Sequence, residues 1–204
     1  MCAGNGIIGL LLCGKTQLKK IVGIEIQQNV SEMAKKSIVY NNLQEKYEMI
    51  NGDIKNIANL VEKESFDTVT ANPPYRKENC GIENKDKTQF IARYETSCNL
   101  DDVINAAFYA LKEKGSLYMV HRPERIADLM CTMRKYRIEP KLIRLVQPYF
   151  EKKPNLVLVK GTKYGNSFLK VLEPLIIYNQ DGTYTQELKK IYGIIQVKSA
   201  NGGI

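Results

Sequence analysis

The stretch AGNGIIGLLLCGKTQLKKIVGIEI, residues 3–26, decides the fold. It opens with a glycine turn, continues as a predicted helix over residues 7–19, and ends in an apolar run at residues 21–26 that predicts a buried strand. Gly4, Gly6 and Gly9 have the spacing GxGxxG. Glycines permit positive φ and a close approach of the backbone to a ligand, so the turn is a candidate binding loop. Alone the motif is weak, because a plain tight turn into a helix looks the same.

The rest of the chain alternates short β-branched runs with longer amphipathic segments, which is typical of an α/β protein with a parallel sheet. The predicted helices are residues 30–43, 54–62, 100–112, 126–135 and 185–192. The predicted strands are residues 47–50, 66–71, 116–120, 142–146 and 156–160, with one more after residue 169. The pair 142–146 and 156–160 is expected to be antiparallel and to close one edge of the sheet. We expect a single domain over residues 1–195 and a loose tail over residues 196–204.

The glycine turn begins at residue 3, which is unusually early. A loop of this type normally follows a buried central strand, and only Met1 and Cys2 precede it here. We therefore expect the sequence to be a fragment or to have a late start, with its first strand largely missing.

The composition is ordinary for a globular protein, since 44% of the 204 residues are hydrophobic and 25% are charged. The apolar run at residues 7–13 is far shorter than the ~20 residues of a membrane span, and no basic leader precedes it. The cysteines are odd in number and none is spaced as CxxC, which favours reduced thiols, a cytoplasmic location and no metal site. They are Cys2, Cys13, Cys80, Cys98 and Cys131.

Positive charge is concentrated in one stretch. The formal net charge is +8, and residues 121–163 hold eleven Lys or Arg against four Asp or Glu. A basic stretch raises the local concentration of polyanions and speeds their encounter, which favours a nucleic-acid partner. A solvated basic face without a partner remains an alternative, and charge does not separate RNA from DNA.

Two acids follow the glycine loop at informative positions. Glu25 lies nineteen residues after Gly6 at the end of a predicted strand, where a carboxylate can accept hydrogen bonds from ribose hydroxyls. Asp53 follows the next strand and can accept from an adenine amino group, or cap the helix that begins at residue 54, or do both. Up to this point an NAD-dependent dehydrogenase is a competing interpretation.

The tetrapeptide Asn72-Pro73-Pro74-Tyr75 decides against the dehydrogenase. It follows a predicted strand, where α/β sheets carry their chemistry, and its prolines stiffen the backbone. If the Asn72 side-chain oxygen and the Pro73 carbonyl each accept one N–H, a weakly nucleophilic amine is held with its lone pair toward a methyl donor. Tyr75 offers a ring on which a flipped-out base can stack. An ordinary proline turn is the alternative.

Taken together, these motifs resemble those of class I methyltransferases that act on amino nitrogens. More narrowly, the chain resembles the bacterial tRNA1(Val) adenine-37 N6-methyltransferase family. The resemblance covers nearly the whole chain, and it is carried by NPPY, by ARYETSCNLDDVINAAFYALKEKGSLYMVHRPERIADLM at residues 92–130, and by MRKYRIEPKLIRLV at residues 133–146.

The resemblance implies a Rossmann-like, mostly parallel seven-stranded sheet with helices on both faces. It implies S-adenosyl-L-methionine as the cofactor and methylation of a tRNA adenine near the anticodon. By this resemblance the target adenine contacts Asn72, Pro73, Pro74 and Tyr75. The residues expected to hold the cofactor are Gly4, Asn5, Gly6, Glu25, Asp53 and Asn72.

Three further residues are candidate substrate contacts, each weighed against an ordinary structural role. His121 and Arg122 follow the predicted strand 116–120, and Arg93 lies in the segment that resembles the family. The two arginines are phosphate contacts or surface ion pairs. Two other functions stay open: methylation of a release-factor glutamine or of another base, and an inactive RNA-binding module. The oligomeric state is left undetermined.

Overall fold

The computed structural model describes residues 1–73 and 98–194. Its strands are β1 Ile21–Glu25, β2 Tyr47–Asn51, β3 Phe66–Ala71, β4 Leu111–His121, β5 Ile138–Gln147, β6 Leu156–Lys163 and β7 Lys170–Ile176. Its helices are α1 Ile7–Lys15, α2 Gln28–Tyr40, α3 Leu100–Ala110, α4 Ile126–Lys135 and α5 Gln186–Tyr192. Two 3₁₀ segments, Ile54–Asn59 and Pro123–Arg125, complete the described elements.

The strands form two sheets, which corrects the expectation of one seven-stranded sheet. β1 and β2 pair in parallel, and the second sheet has the order β3-β4-β6-β5-β7. The α/β class is confirmed, but β6 runs antiparallel to both of its neighbours. Residues 1–3 lie between the two sheets and make one hydrogen bond to each of them. Ala3 N donates to Ile24 O of β1 at 3.0 Å, and the Met1 amine donates to Thr70 O of β3 at 2.8 Å. These two bonds connect the sheets without forming a strand ladder.

The predicted antiparallel pair is confirmed as β5 and β6, but its position at the sheet edge is wrong. β6 also pairs with β4, and β5 also pairs in parallel with β7. The apolar run after residue 169 therefore forms the edge, because it adds to the outer side of β5.

Several predicted helix ends also need correction. The segment predicted as a helix over residues 54–62 is a 3₁₀ segment, Ile54–Asn59, with a kink at Asn56. α1 ends at Lys15 rather than at residue 19, because Thr16 is already extended. α3 ends at Ala110, because Leu111 pairs with Phe66 as the first residue of β4. The boundaries of α4 are as predicted.

Helices cover both faces of the five-stranded sheet, as expected. On one face α3 and α4 bury residues such as Ile104 and Leu129 against alternate residues of β4, including Leu117. On the other face α5 packs Leu188 against Val146 and Leu175. Since β3, β4, β5 and β7 all run in one direction, their carboxyl ends meet at a single edge of the sheet. No helix within residues 1–73 and 98–194 has the length and apolar character needed to cross a membrane.

Candidate active site

A cavity of about 360 Å³ opens where the carboxyl ends of β1, β2 and β3 meet, a volume within the range of small-molecule sites. Its walls come from segments far apart in the chain. It gathers most of the predicted site residues that the structure describes. Those in the lining are Gly4, Asn5, Glu25, Asp53, Asn72 and Pro73, together with Cys2, Ala3, Ile7, Ile8, Ile24, Ile26, Gly52, Ile54 and Cys98.

The glycine loop lies at one wall of this cavity and leads into α1. Gly4 and Gly6 have φ of 55° and 83°, a left-handed conformation that favours glycine. A Cβ added to Gly4 would meet no atom within 4 Å, so a ligand can approach this backbone closely. Gly6 is buried beneath the loop instead, where a Cβ would lie 3.1 Å from that of Ala34, and it does not line the cavity.

Sequence reasoning missed Tyr47, the residue that supports this loop from below. The buried ring lies so close to Gly9 that a Cβ there would fall 2.3 Å from a ring carbon. The hydroxyl donates to the Gly6 carbonyl at 3.4 Å, and burial raises the pKa of Tyr47 to about 12. Gly9 of the GxGxxG motif is therefore required by packing. No local pattern could have revealed the contact, since the partners are 38 residues apart in the sequence.

Glu25 joins the glycine loop to β1. Its side chain is 5% exposed, and its carboxylate accepts hydrogen bonds from Gly4 N at 2.8 Å and from Gln27 N at 3.0 Å. A carboxylate has about four acceptor positions, so these two bonds leave capacity for a ligand. The predicted contact to ribose hydroxyls stays a prediction, and the observed geometry is compatible with it.

Asp53 caps the 3₁₀ segment, which was one of its two predicted roles. Its Oδ1 accepts from Lys55 N at 2.9 Å, and the residue also lines the cavity. Asn51, which sequence reasoning missed, donates from Nδ2 to Glu25 O at 2.9 Å and to Ile26 O at 3.1 Å. These bonds hold the ends of β1 and β2 together and so fix the spacing of the two acids.

Two cysteines in the cavity wall were not predicted as site residues. The Sγ atoms of Cys2 and Cys98 lie 4.0 Å apart and share a hydrogen bond. The bond from Cys98 lowers the pKa of the Cys2 thiol, and the same bond together with burial raises the pKa of Cys98. The described cysteines, Cys2, Cys13, Cys98 and Cys131, are all free thiols.

Asn72 and Pro73 extend directly from β3 into the cavity wall. Asn72 is exposed, whereas Pro73 is buried. Asn72 and Pro73, the first two residues of the predicted catalytic tetrapeptide, therefore border the same cavity as Gly4, Glu25 and Asp53. Of the other predicted residues, Pro74, Tyr75 and Arg93 lie outside the described residues.

His121 is the last residue of β4, the neighbour of β3, and Arg122 follows it directly, but neither is in the described lining of the cavity. His121 is 2% exposed, and its Nδ1 accepts from the backbone N of Arg122 at 2.8 Å. Burial, followed by the positive charge of Arg125, lowers the pKa of His121, so the imidazole is neutral at pH 7. Arg122 is exposed and donates from Nη1 to Asn155 O at 3.0 Å. Their predicted substrate roles stay predictions.

The hydrogen-bond acceptors and apolar side chains that line the cavity suit a nucleoside-containing cofactor. The carboxylates of Glu25 and Asp53 can accept from hydroxyl and amino groups, and apolar side chains such as Ile8, Ile26 and Ile54 can flank a flat ring. The open backbone at Gly4 suits a closely bound ligand. Among the residues that the structure describes, no cluster of three or more His, Cys, Asp or Glu could hold a metal ion.

Comparison with known proteins adds independent information. Residues 1–188 match a family model described as a methyltransferase domain. Over 192 residues the chain is 24% identical to a tRNA1(Val) (adenine(37)-N6)-methyltransferase of Porphyromonas gingivalis, covering 92% of this chain and 74% of that protein. It is also 28% identical over 124 residues to a release factor glutamine methyltransferase of Clostridium botulinum, covering 57% of this chain and 44% of the other.

Among solved structures, the fold is similar to that of a predicted O-methyltransferase from Agrobacterium tumefaciens. The TM-score is 0.75 at 19% sequence identity, and the match covers 94% of this chain and 85% of that one. At this identity the likeness concerns the fold alone.

Proposed function

This chain belongs to the methyltransferase domain family, and we propose that it transfers a methyl group from S-adenosyl-L-methionine to the N6 amino group of an adenine in tRNA. The observation that carries the proposal is the shared cavity, where Asn72 and Pro73 border the same space as Gly4, Glu25 and Asp53. The substrate class is supported by the similarity to tRNA1(Val) adenine-37 N6-methyltransferases over most of the chain.

The cofactor, when bound, supplies a methyl group made electrophilic by its sulfonium. Glu25 would accept from the ribose hydroxyls and Asp53 from the adenine amino group of the cofactor, and the open backbone at Gly4 would allow its close approach. Glu25 is already oriented by Gly4 N and Gln27 N, so little side-chain entropy is lost on binding.

We expect the target amine to be positioned by Asn72 and Pro73, which directly follow β3. The Asn72 side-chain oxygen and the Pro73 carbonyl would each accept one N–H and would so orient the lone pair of the nitrogen toward the methyl group. No strong base would be needed: as the N–C bond forms and the bond from methyl to sulfur breaks, S-adenosylhomocysteine would leave as a neutral thioether, and the nitrogen, now acidic, would release one proton to solvent. Positioning and oriented dipoles then supply most of the rate. Pro74 and Tyr75 lie outside the described residues, and the stacking of Tyr75 on a flipped base stays a prediction.

The test is methyl transfer to separate substrates. The protein is incubated with methyl-labelled S-adenosyl-L-methionine and pools of tRNA, rRNA, DNA or release factor. Label is expected in tRNA and, after digestion, in N6-methyladenosine. Asn72→Ala is expected to slow transfer about 100-fold or more, the scale of a lost positioning acceptor. The matched control is Asn166→Ala, an exposed asparagine at the opposite edge of the sheet.

A second candidate is methylation of a glutamine side-chain amide in a release factor. The similarity to the Clostridium botulinum enzyme favours it, although that match covers only 57% of this chain. Label that enters release factor and leaves tRNA unlabelled would establish this candidate and end the tRNA proposal.

A further inference from the structure

The carboxyl edge of the five-stranded sheet extends well beyond the cavity. The order β3-β4-β6-β5-β7 puts β5 three strands and β7 four strands from β3. At the usual spacing of ~4.8 Å, that distance is on the order of 15–20 Å. The loop of residues 148–155, between β5 and β6, and the segment after β7 therefore lie on the same edge as Asn72.

A set of aromatic rings begins at this edge and continues along α5, which packs on one face of the sheet. Tyr178 lies between Tyr149 and Tyr184, with 5.4 Å between ring centroids on each side, and Tyr192 continues the run 5.8 Å from Tyr184. Phe150 adjoins the run and is 78% exposed. We refer to these five residues as the aromatic surface: Tyr149, Phe150, Tyr178, Tyr184 and Tyr192.

The loop that presents Phe150 is held in place by hydrogen bonds. Gln147 Nε2 donates to the carbonyls of Phe150 at 3.1 Å and Lys152 at 2.7 Å. Asn155 N donates to Val146 O at 3.0 Å. A large apolar ring is thus held in solvent by an ordered loop, which is an unfavourable arrangement unless a partner covers the ring.

Charge points to the class of partner. At least five of the eleven cations of the basic stretch 121–163 form ion pairs, as in the pairs of Arg134 with Glu139 and Arg144 with Glu187. Lys152 and Lys153 follow Phe150 after Glu151, whose carboxylate accepts from Gln180 Nε2 at 3.2 Å. Both lysines are exposed, and no ion pair to another described residue (1–73 and 98–194) holds them. Exposed lysines beside an exposed ring form the combination that binds single-stranded nucleic acid, with phosphates on the cations and a base on the ring.

We propose that the aromatic surface, with Lys152 and Lys153, binds unpaired nucleotides of the RNA substrate outside the cavity, Phe150 stacking on a base. This inference rests on the proposed function. Because the surface shares an edge with Asn72, one RNA loop can reach both: a base enters the cavity while its neighbours contact the aromatic surface. Sequence-tolerant stacking fits this position, since every base has a π-face.

The test compares Phe150→Ala with Phe168→Ala. Phe168 is 89% exposed, adjoins exposed Leu169 and Lys170, and lies between β6 and β7 at the opposite edge of the sheet. The probes are a tRNA anticodon stem-loop and a fully paired RNA duplex of equal length. Phe150→Ala is expected to weaken stem-loop binding about tenfold and to raise KM with little change in kcat. Phe168→Ala should bind as wild type does, and both variants should keep wild-type affinity for S-adenosylhomocysteine.

Lys152→Ala and Lys153→Ala give a second measurement. Each change is expected to make the fall of log affinity with log salt concentration less steep, by about one unit of slope. Equal stem-loop affinity of Phe150→Ala and Phe168→Ala would overturn the inference, and so would an equal loss of affinity of Phe150→Ala for the stem-loop and the paired duplex. The proposed function fails separately, when the wild-type protein transfers no methyl group to tRNA.

Discussion

Glu25 and Lys163 are both buried charged side chains, yet they serve different regions of the molecule. Lys163 is 0% exposed at the amino edge of the five-stranded sheet. Its ammonium donates to Phe108 O at 2.8 Å, Leu111 O at 2.7 Å and Glu64 Oε1 at 2.9 Å. These bonds use all three donors, whereas the Glu25 carboxylate has acceptor capacity left and borders the cavity. A saturated buried charge stabilises the fold, and an unsaturated one beside a cavity can also hold a ligand.

The largest effect is expected at Lys163. Lys163→Met leaves the carbonyls at the end of α3 without their donor, so the free energy of unfolding should fall by about 3 kcal/mol. Urea denaturation measures it. Glu64→Gln is the matched control and should have a much smaller effect, because Glu64 is half-exposed. If Lys163→Met is as stable as the wild type, the claim that Lys163 stabilises the fold is wrong.

The next effect concerns Glu25. Glu25→Gln removes the negative charge of the carboxylate to which Gly4 N and Gln27 N donate. It also replaces the acceptor proposed for a ribose by a weaker one. Affinity for S-adenosylhomocysteine, measured by calorimetry, should fall about 10- to 100-fold, the scale of a hydrogen bond to a charged group. Lys163→Met should keep its affinity per folded molecule. If the two variants lose affinity equally, the distinction between the buried charges fails.

A smaller loss is expected from the glycine loop. Gly9→Ala forces a Cβ against the Tyr47 ring, and overpacking of this kind should lower the free energy of unfolding by about 1.5 kcal/mol. Gly14→Ala in the same helix is the control, since no atom lies within 4 Å of its added Cβ. That change should be neutral or slightly stabilising. Thermal unfolding of both variants checks the difference, and equal melting temperatures would contradict it.

The smallest expected effect is a pH dependence from His121. Burial lowers its pKa, so below the ordinary value near 6.5 the unfolded chain takes up a proton that the folded chain does not. The free energy of unfolding should therefore fall as the pH drops from 7.5 to 5.5. The slope is at most about 1.4 kcal/mol per pH unit. His121→Asn should show a flatter profile, because its amide does not titrate. Identical pH profiles of the wild type and His121→Asn would show that His121 does not cause the pH dependence.

The sequence was most informative where chemistry depends on residue type and order. Glu25, Asp53 and Asn72-Pro73 could be assigned to one candidate site because each lies at or directly after the end of a predicted strand, and parallel strands bring such positions to one edge. The GxGxxG loop was added to that site because its glycines allow a ligand to approach the backbone. The helical period of residues 126–135 and the β-branched residues within 66–71 are local signals, and both elements have the predicted boundaries. Helix ends at residues 15 and 110 were missed, because competing strand or extended conformations determine them.

The amino-acid sequence alone therefore determined the α/β class and predicted six of the residues that line the cavity: Gly4, Asn5, Glu25, Asp53, Asn72 and Pro73. Only the tertiary structure decided the separation into two sheets, the contact of Tyr47 with Gly9, the saturation of Lys163 and the assembly of the aromatic surface. Each depends on contacts between residues distant in the sequence. Such contacts leave no periodic trace, because the energy that selects them comes from packing and hydrogen bonding in the folded chain.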